Sequence, residues 1–330
     1  MRLYFPLFSL LSVALAAGRT SPPSGCLVVS KTASSGQYKT VQSAVNALST
    51  TSTSPQCIFI YQGTYNEQVY IPSRKAALTI YGYTTDTSTY TGNTVTITQK
   101  LSQDDVANND LTATLRAHSA NFKLYNVNLV NTRGQGSQAL ALSAQADKQG
   151  YYGVQFHGYQ DTVLANTGAQ LYAKCLIVGA TDFIFGQTAT AWFDRVDIRV
   201  LAASIGYITA NGRDSESNPS FYVINNSNVA AASGNSVKAG TYYLGRPWRN
   251  YSRVVFQRTS LSNVVNGEGW KVWGSSDPRT DHVYYGEYAN TGDGAKGTRA
   301  AFAKKLASPV AIETVLGSGY QSWVDRSYLS

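Results

Sequence analysis

Ionisable side chains are scarce in this sequence: Asp, Glu, Lys and Arg make up 14% of its 330 residues, where about a quarter is usual. So little charge argues against a long disordered tail, a coiled coil or a nucleic-acid arm, each of which needs more. There are three His and three Cys. His118, His157 and His282 stand far apart and no CxxC pair occurs, so no metal-ligand spacing is present and no cofactor is expected. Past the first seventeen residues no apolar run approaches the length of a membrane span, and no membrane partner is expected. A GxSxG motif is also missing, which leaves Ser-His-Asp catalysis unsupported.

What is present is polar but uncharged. Hydrophobic residues reach 43%, and Ser, Thr, Asn and Gln accompany 28 Gly, 23 Tyr and 5 Trp. This suits a β-rich extracellular protein that handles sugars, and equally an ordinary secreted β-protein. The net charge is +8 and its longest basic run is Lys304-Lys305, so no nucleic-acid partner is expected. A dispersed positive field fits attraction to an acidic polymer and equally fits solubility alone. Arg2, an apolar stretch and the small residues Ala14, Ala16 and Ala17 read as a signal peptide over 1–17, followed by one domain over 18–330. The protein is therefore expected to be secreted, and to act as a monomer. Three cysteines allow one disulfide: Cys26 and Cys57 can pair, while Cys175 lies in an apolar run and reads as buried. Asn225 and Asn250 begin glycosylation sequons, and a glycan at Asn250 would stand two residues from Trp248.

Val41, Ala44, Val45 and Leu48 follow helical spacing, and the polar run from Ser49 to Pro55 ends that helix. From Cys57 onward the chain reads as short strands of β-branched and aromatic residues closed by Gly, Asn or Asp. Phe156, Leu176 and Val196 mark a repeat near 20 residues, and later strands recur at longer intervals. Such a repeat, without heptads or paired helices, predicts an all-β parallel solenoid with the short N-terminal helix capping its first coil. A β-sandwich would need Asn-Gly or Asp-Gly turns at most strand pairs. Only Asn211-Gly212, Asn266-Gly267 and Asp293-Gly294 are available.

Asp182 sits inside the apolar run Gly179 to Gly186, where a carboxylate is costly unless paired. Gln160 follows Gln138 by 22 residues and Asp182 follows Asp161 by 21, so one coil of a solenoid brings these groups to one face. An isolated Gln or Asp in a solenoid turn more often belongs to a stacking ladder; four convergent groups, two of them acidic, favour chemistry. Carboxylates one rung apart split their pKa values, giving a base or nucleophile and an acid. Arg246 can supply the cation, although three regular coils after Asp182 would put it out of reach. Longer coils between Ile208 and Gly240 would restore it. The two Gln amides can donate to an oxyanion, and Trp248 offers a flat face for a sugar.

Five ordered segments carry a resemblance: Gly63 to Pro72, Gln138 to Leu142, Gly158 to Thr162, Gly179 to Gly186, and Leu244 to Trp248. From about Ser24 onward the chain closely resembles the pectin methylesterases (pectinesterases), in particular their secreted fungal branch. The resemblance implies a right-handed parallel β-helix and hydrolysis of methyl esters on galacturonan in pectin, giving methanol and pectate without a metal. It implies Asp182 as nucleophile, Asp161 as acid and then base, and Gln138 and Gln160 as oxyanion stabilisers. Arg246 would orient Asp182, and Trp248 and Tyr159 would touch substrate. Val163-Leu164 departs conservatively from the family pattern. Two other readings remain: a lyase or glycosidase on the same kind of solenoid, or an inactive pectin-binding paralogue.

Overall fold

The computed structural model describes residues 17–329; apart from Ala17, the expected signal peptide lies outside them. The Ala17 carbonyl accepts hydrogen bonds from the Thr87 backbone N–H (2.9 Å) and hydroxyl (2.8 Å). Three parallel sheets of eleven, seven and eight strands run along the chain, and through its middle each coil adds one strand to each sheet in turn. This is the expected parallel β-helix.

The stretch from Tyr151 to Phe156, with its strand-like composition, and the apolar run from Leu171 to Val178 each fold as parts of two strands meeting at a sharp turn. The strands are Gln149–Tyr152 with Gln155–His157, and Ala169–Ala173 with Leu176–Gly179. Between them Gly153, Lys174 and Arg195 take left-handed φ values of 59°, 52° and 52° at equivalent positions on successive coils. For a side chain this conformation costs roughly 1–2 kcal/mol, and continuous ladders on both sides offset it. Phe156 pairs with Ile177 and Ile177 with Ile198, so the true period of these coils is 21 residues, one more than the hydrophobic centres suggested.

Inside the tube, side chains stack on their equivalents. Tyr151, Tyr172 and Phe193 lie ring over ring at 4.8 and 4.5 Å, all fully buried. Each buried aromatic of this kind contributes about 1.5–3 kcal/mol. Cys175 is buried and free, and Cys26 bonds Cys57 across the first two rungs.

Helix Val41–Ala47 closes the N-terminal end, with Val41, Ala44, Val45 and Leu48 buried as its spacing predicts. Thr40 caps it, and both Glu67 carboxylate oxygens accept its first backbone N–H groups at 2.8 Å. At the other end the first sheet finishes on Ala303–Lys305, with Lys304 and Lys305 exposed. Asn225 is buried between Asp194 and Gln257, bonded to both at 2.6 and 2.9 Å, whereas Asn250 is exposed.

Candidate active site

The seven-stranded sheet holds the aspartates. A bridge pairs Gln160 with Thr181, so Asp161 lies in register with Asp182 one rung on, about 4.8 Å along the sheet. Both take left-handed backbone conformations, with φ of 64° and 49°. Register shifts between Thr181 and Ile184, a bulge that spans Asp182 and Phe183. A bulge re-aims side chains: Phe183 and Ile184 enter the core, fully buried, while Asp182 faces the outer groove. Gly179 is required beneath this bulge, because a Cβ there would sit 2.4 Å from the Phe183 side chain.

Arg246 reaches Asp182 two rungs away, not three. The strands Thr181–Gly186, Gly206–Asn211 and Tyr242–Gly245 are consecutive neighbours in the sheet, and the intervening sequence is taken up by loops at 201–205, 212–220 and 232–241. Its guanidinium binds the carboxylate through both oxygens, Nε to Oδ1 at 2.9 Å and Nη2 to Oδ2 at 2.6 Å. Tyr207 and Trp273 cover its two faces, with ring centroids 4.0 and 4.3 Å from the guanidinium carbon. The cation is fixed by stacking as well as by charge.

The two carboxylates are not equivalent. Burial pushes Asp161 well above the ordinary carboxylate range, and the Asp182 charge adds to the rise against the opposing Asn109 and Arg246. Burial raises Asp182 too, but Arg246 opposes it through hydrogen bonds and charge. As pH rises, Asp182 therefore loses its proton first. Asn109 donates to Asp161 Oδ2 at 3.1 Å and accepts from Gln103 at 2.7 Å.

These groups line a pocket of about 380 Å³, within the range of small-ligand sites. Gln138, Gln160, Asp161, Asp182, Arg246 and Trp248 all face it. Among the described residues, no hydrogen bond engages the side-chain amide of Gln138 or Gln160. Trp248 packs beside Phe185 at 6.1 Å and against Gly212, where a Cβ would come within 2.6 Å of the indole. Tyr159 is not brought to the pocket wall; its hydroxyl donates to the Ala202 carbonyl at 3.1 Å. Gln103, Asn109, Ala210 and Trp273 line the pocket without having been singled out in the sequence. Asn109 stands in the polar stretch Asn108-Asn109-Asp110, a cue that could have marked it; nothing comparable marks Trp273. Among the described residues, no cluster of three or more His, Cys, Asp or Glu is placed to hold a metal ion, and no helix is long and apolar enough to cross a membrane.

Fold and groove together define a parallel β-helix protein with a polar carboxylate–arginine site on one sheet face. The chain belongs to the pectinesterase family, whose profile matches residues 27–305. It is 56% identical over 318 residues to a pectinesterase of Aspergillus aculeatus, covering 96% of each chain. It is 55% identical over 321 residues to one of Aspergillus niger, covering 97% and 96%. A pectin methylesterase structure from Aspergillus niger superposes with a TM-score of 0.88 at 43% identity, over 94% of this chain and 100% of that one. Pectin methylesterase from carrot gives 0.82 at 30% identity, over 94% and 98%. At this similarity the chain is a pectinesterase, a carboxylic ester hydrolase.

Proposed function

We propose that the protein is a secreted enzyme that removes methyl esters from galacturonan in pectin, using Asp182 as nucleophile and Asp161 as acid and base. The observation that carries this reading is the in-register pair itself: two aspartates on adjacent rungs, only one of them ion-paired, with the other held protonated to higher pH. The Asp182 carboxylate attacks the ester carbonyl carbon, and the carbonyl oxygen becomes an oxyanion that the free Gln138 and Gln160 amides can stabilise. Asp161 gives its proton to the methoxide as the C–O bond breaks, releasing methanol and leaving an anhydride with Asp182. Asp161, now ionised, takes a proton from water. The hydroxide opens the anhydride, which frees the galacturonate and restores Asp182. Arg246 fixes the nucleophile, and Trp248 offers an aromatic face to the sugar ring. The leader over 1–17 fits export to the extracellular polymer.

Methanol release from highly methylated pectin tests this. Wild-type protein should release methanol without new reducing ends or unsaturated uronides. Asp182→Asn should lose activity on the order of 10⁴-fold or more, and Asp161→Asn about 10²–10⁴-fold, while both retain polymer binding. Chain cleavage without methanol would establish a glycosidase or lyase instead. Full activity in Asp182→Asn would remove that residue from the mechanism.

A further inference from the structure

The pocket-bearing sheet carries a second organised group of side chains near its N-terminal end. Tyr70 points outward from the strand Val69–Ile71 and is one of two large hydrophobic residues exposed among those described, at 37%. The Arg116 guanidinium lies 4.6 Å from its ring centroid, and the His118 ring meets its edge at 5.2 Å. Asp110 organises both neighbours. It accepts from Arg116 Nε and Nη2 at 3.0 and 2.7 Å, and from the Ser143 hydroxyl at 2.7 Å, and it bonds His118 Nε2 at 2.8 Å. Among the described residues, no hydrogen bond uses Arg116 Nη1, His118 Nδ1 or the Tyr70 hydroxyl.

Strand register ties this group to the pocket. Tyr70, Arg116, Ser143, Leu164, Phe185 and Ala210 align one per rung, and the last two line the pocket wall. Tyr70 is four rungs from Phe185, about 19 Å. Two residues along the strands runs a row of amides. Asn166 donates to Gln145 at 2.8 Å, Gln145 to Ser143 at 2.9 Å, and the Gln187 backbone N–H to Asn166 at 3.2 Å. Gln187 ends the row beside Gly212, on which Trp248 packs. An exposed aromatic, a cation with an unused N–H and a track of amides leading to the pocket together suit an acidic sugar chain laid along the sheet.

We propose that Tyr70, Arg116 and His118 form a distal subsite for the polymer, with a uronic-acid ring on Tyr70 and its free carboxylate on Arg116. The proposal rests on the pectinesterase reading of the pocket. A carboxylate accepts a charge-assisted hydrogen bond roughly twice as strong as a neutral ester can, so the subsite favours sugars already de-esterified. The enzyme then holds a stretch of its own product four rungs from the ester under attack.

Methanol release is measured on methylated oligogalacturonides of increasing length, and retention on immobilised, fully de-esterified polygalacturonate, for wild type, Tyr70→Ala and Arg116→Gln. Tyr70→Ala should raise KM on long, partly de-esterified chains about 2- to 13-fold, the scale of one aromatic stacking contact. It should leave kcat, and both constants on oligomers too short to reach Tyr70, within about twofold. Arg116→Gln should weaken retention on the de-esterified polymer yet leave KM on fully methylated chains unchanged. Unaltered long-chain KM and retention in Tyr70→Ala, at an unaltered melting temperature, would overturn the subsite. Absence of methanol release by wild type would instead overturn the catalytic reading, and the retention measurement would still decide the subsite.

Discussion

Asn109 holds Asp161 from one side while Gln103 holds Asn109 from the other: Nδ2 donates to Asp161 Oδ2 at 3.1 Å, and Oδ1 accepts from Gln103 Nε2 at 2.7 Å. The Gln103 bond fixes which end of the amide faces the carboxyl. With Oδ2 accepting from Asn109, the Asp161 proton is directed to Oδ1. Asn109 also lowers the pKa that burial and Asp182 raise.

With Asp161 as the proposed acid, which must be protonated to act, Asn109→Ala should move the alkaline limb of the kcat/KM profile to higher pH. The same change frees the carboxyl to rotate, and kcat should fall about tenfold. Methanol release measured across pH gives both numbers. An alkaline limb that stays in place would remove Asn109 from the control of Asp161.

Arg246 acts on the opposite limb. It offsets part of the rise that burial imposes on Asp182, so Arg246→Gln should make this proposed nucleophile ionise later. The acidic limb then shifts to higher pH, and kcat/KM falls about 10²–10³-fold. Arg246→Lys keeps the charge but loses the bidentate geometry and the fit between Tyr207 and Trp273. It should recover the limb position more fully than the rate.

Asp161 also weighs on stability. Its folded-state pKa is raised, so above about pH 4 the unfolded chain releases a proton that the folded chain keeps. Stability then declines as pH rises toward the folded value. Asp161→Asn removes that dependence and should melt at a higher temperature than wild type near neutral pH, with the difference vanishing at about pH 3. Calorimetry at the two pH values measures it. A neutral-pH melting temperature below that of wild type would show that the carboxyl is not held under strain.

The two sequons separate by environment. Asn225 is buried with its side-chain amide bonded to Asp194 and Gln257, and Asn250 is exposed. Protein expressed in a glycosylating host should carry a glycan at Asn250 and none at Asn225 once folded, read by peptide mass spectrometry. Asn225→Gln should destabilise by about 1–3 kcal/mol through the broken ladder, whereas Asn250→Gln should change stability by less than about 0.5 kcal/mol.

Much of the site was legible because a solenoid converts sequence distance into position. The 21-residue interval between Asp161 and Asp182 places one over the other, and Gln138 and Gln160 follow by the same logic. Phe156, Leu176 and Val196 misplaced the period by one because apolar residues crowd both sides of each turn, and hydrophobicity alone does not mark the corner. Arg246 was harder still. Its 64-residue separation suggests three coils, and only the loop lengths, which periodicity does not encode, reduce that to two. Asn109 and Trp273 lie on excursions from the coil and obey no period. Tyr159, expected to touch substrate, stands outside the pocket lining with its hydroxyl donating to the Ala202 carbonyl.

A solenoid is built by repeated addition, and nothing in a parallel ladder itself stops the next copy from adding. Here the two ends differ. Helix Val41–Ala47 lies across the first rung, and the last strand of the first sheet turns Lys304 and Lys305 to solvent. A second molecule docking end to end would have to displace a helix or set that lysine pair against its own surface, both unfavourable. Coil-by-coil repetition sets how long the groove-bearing face can grow, and the unlike elements at its two ends set where it stops.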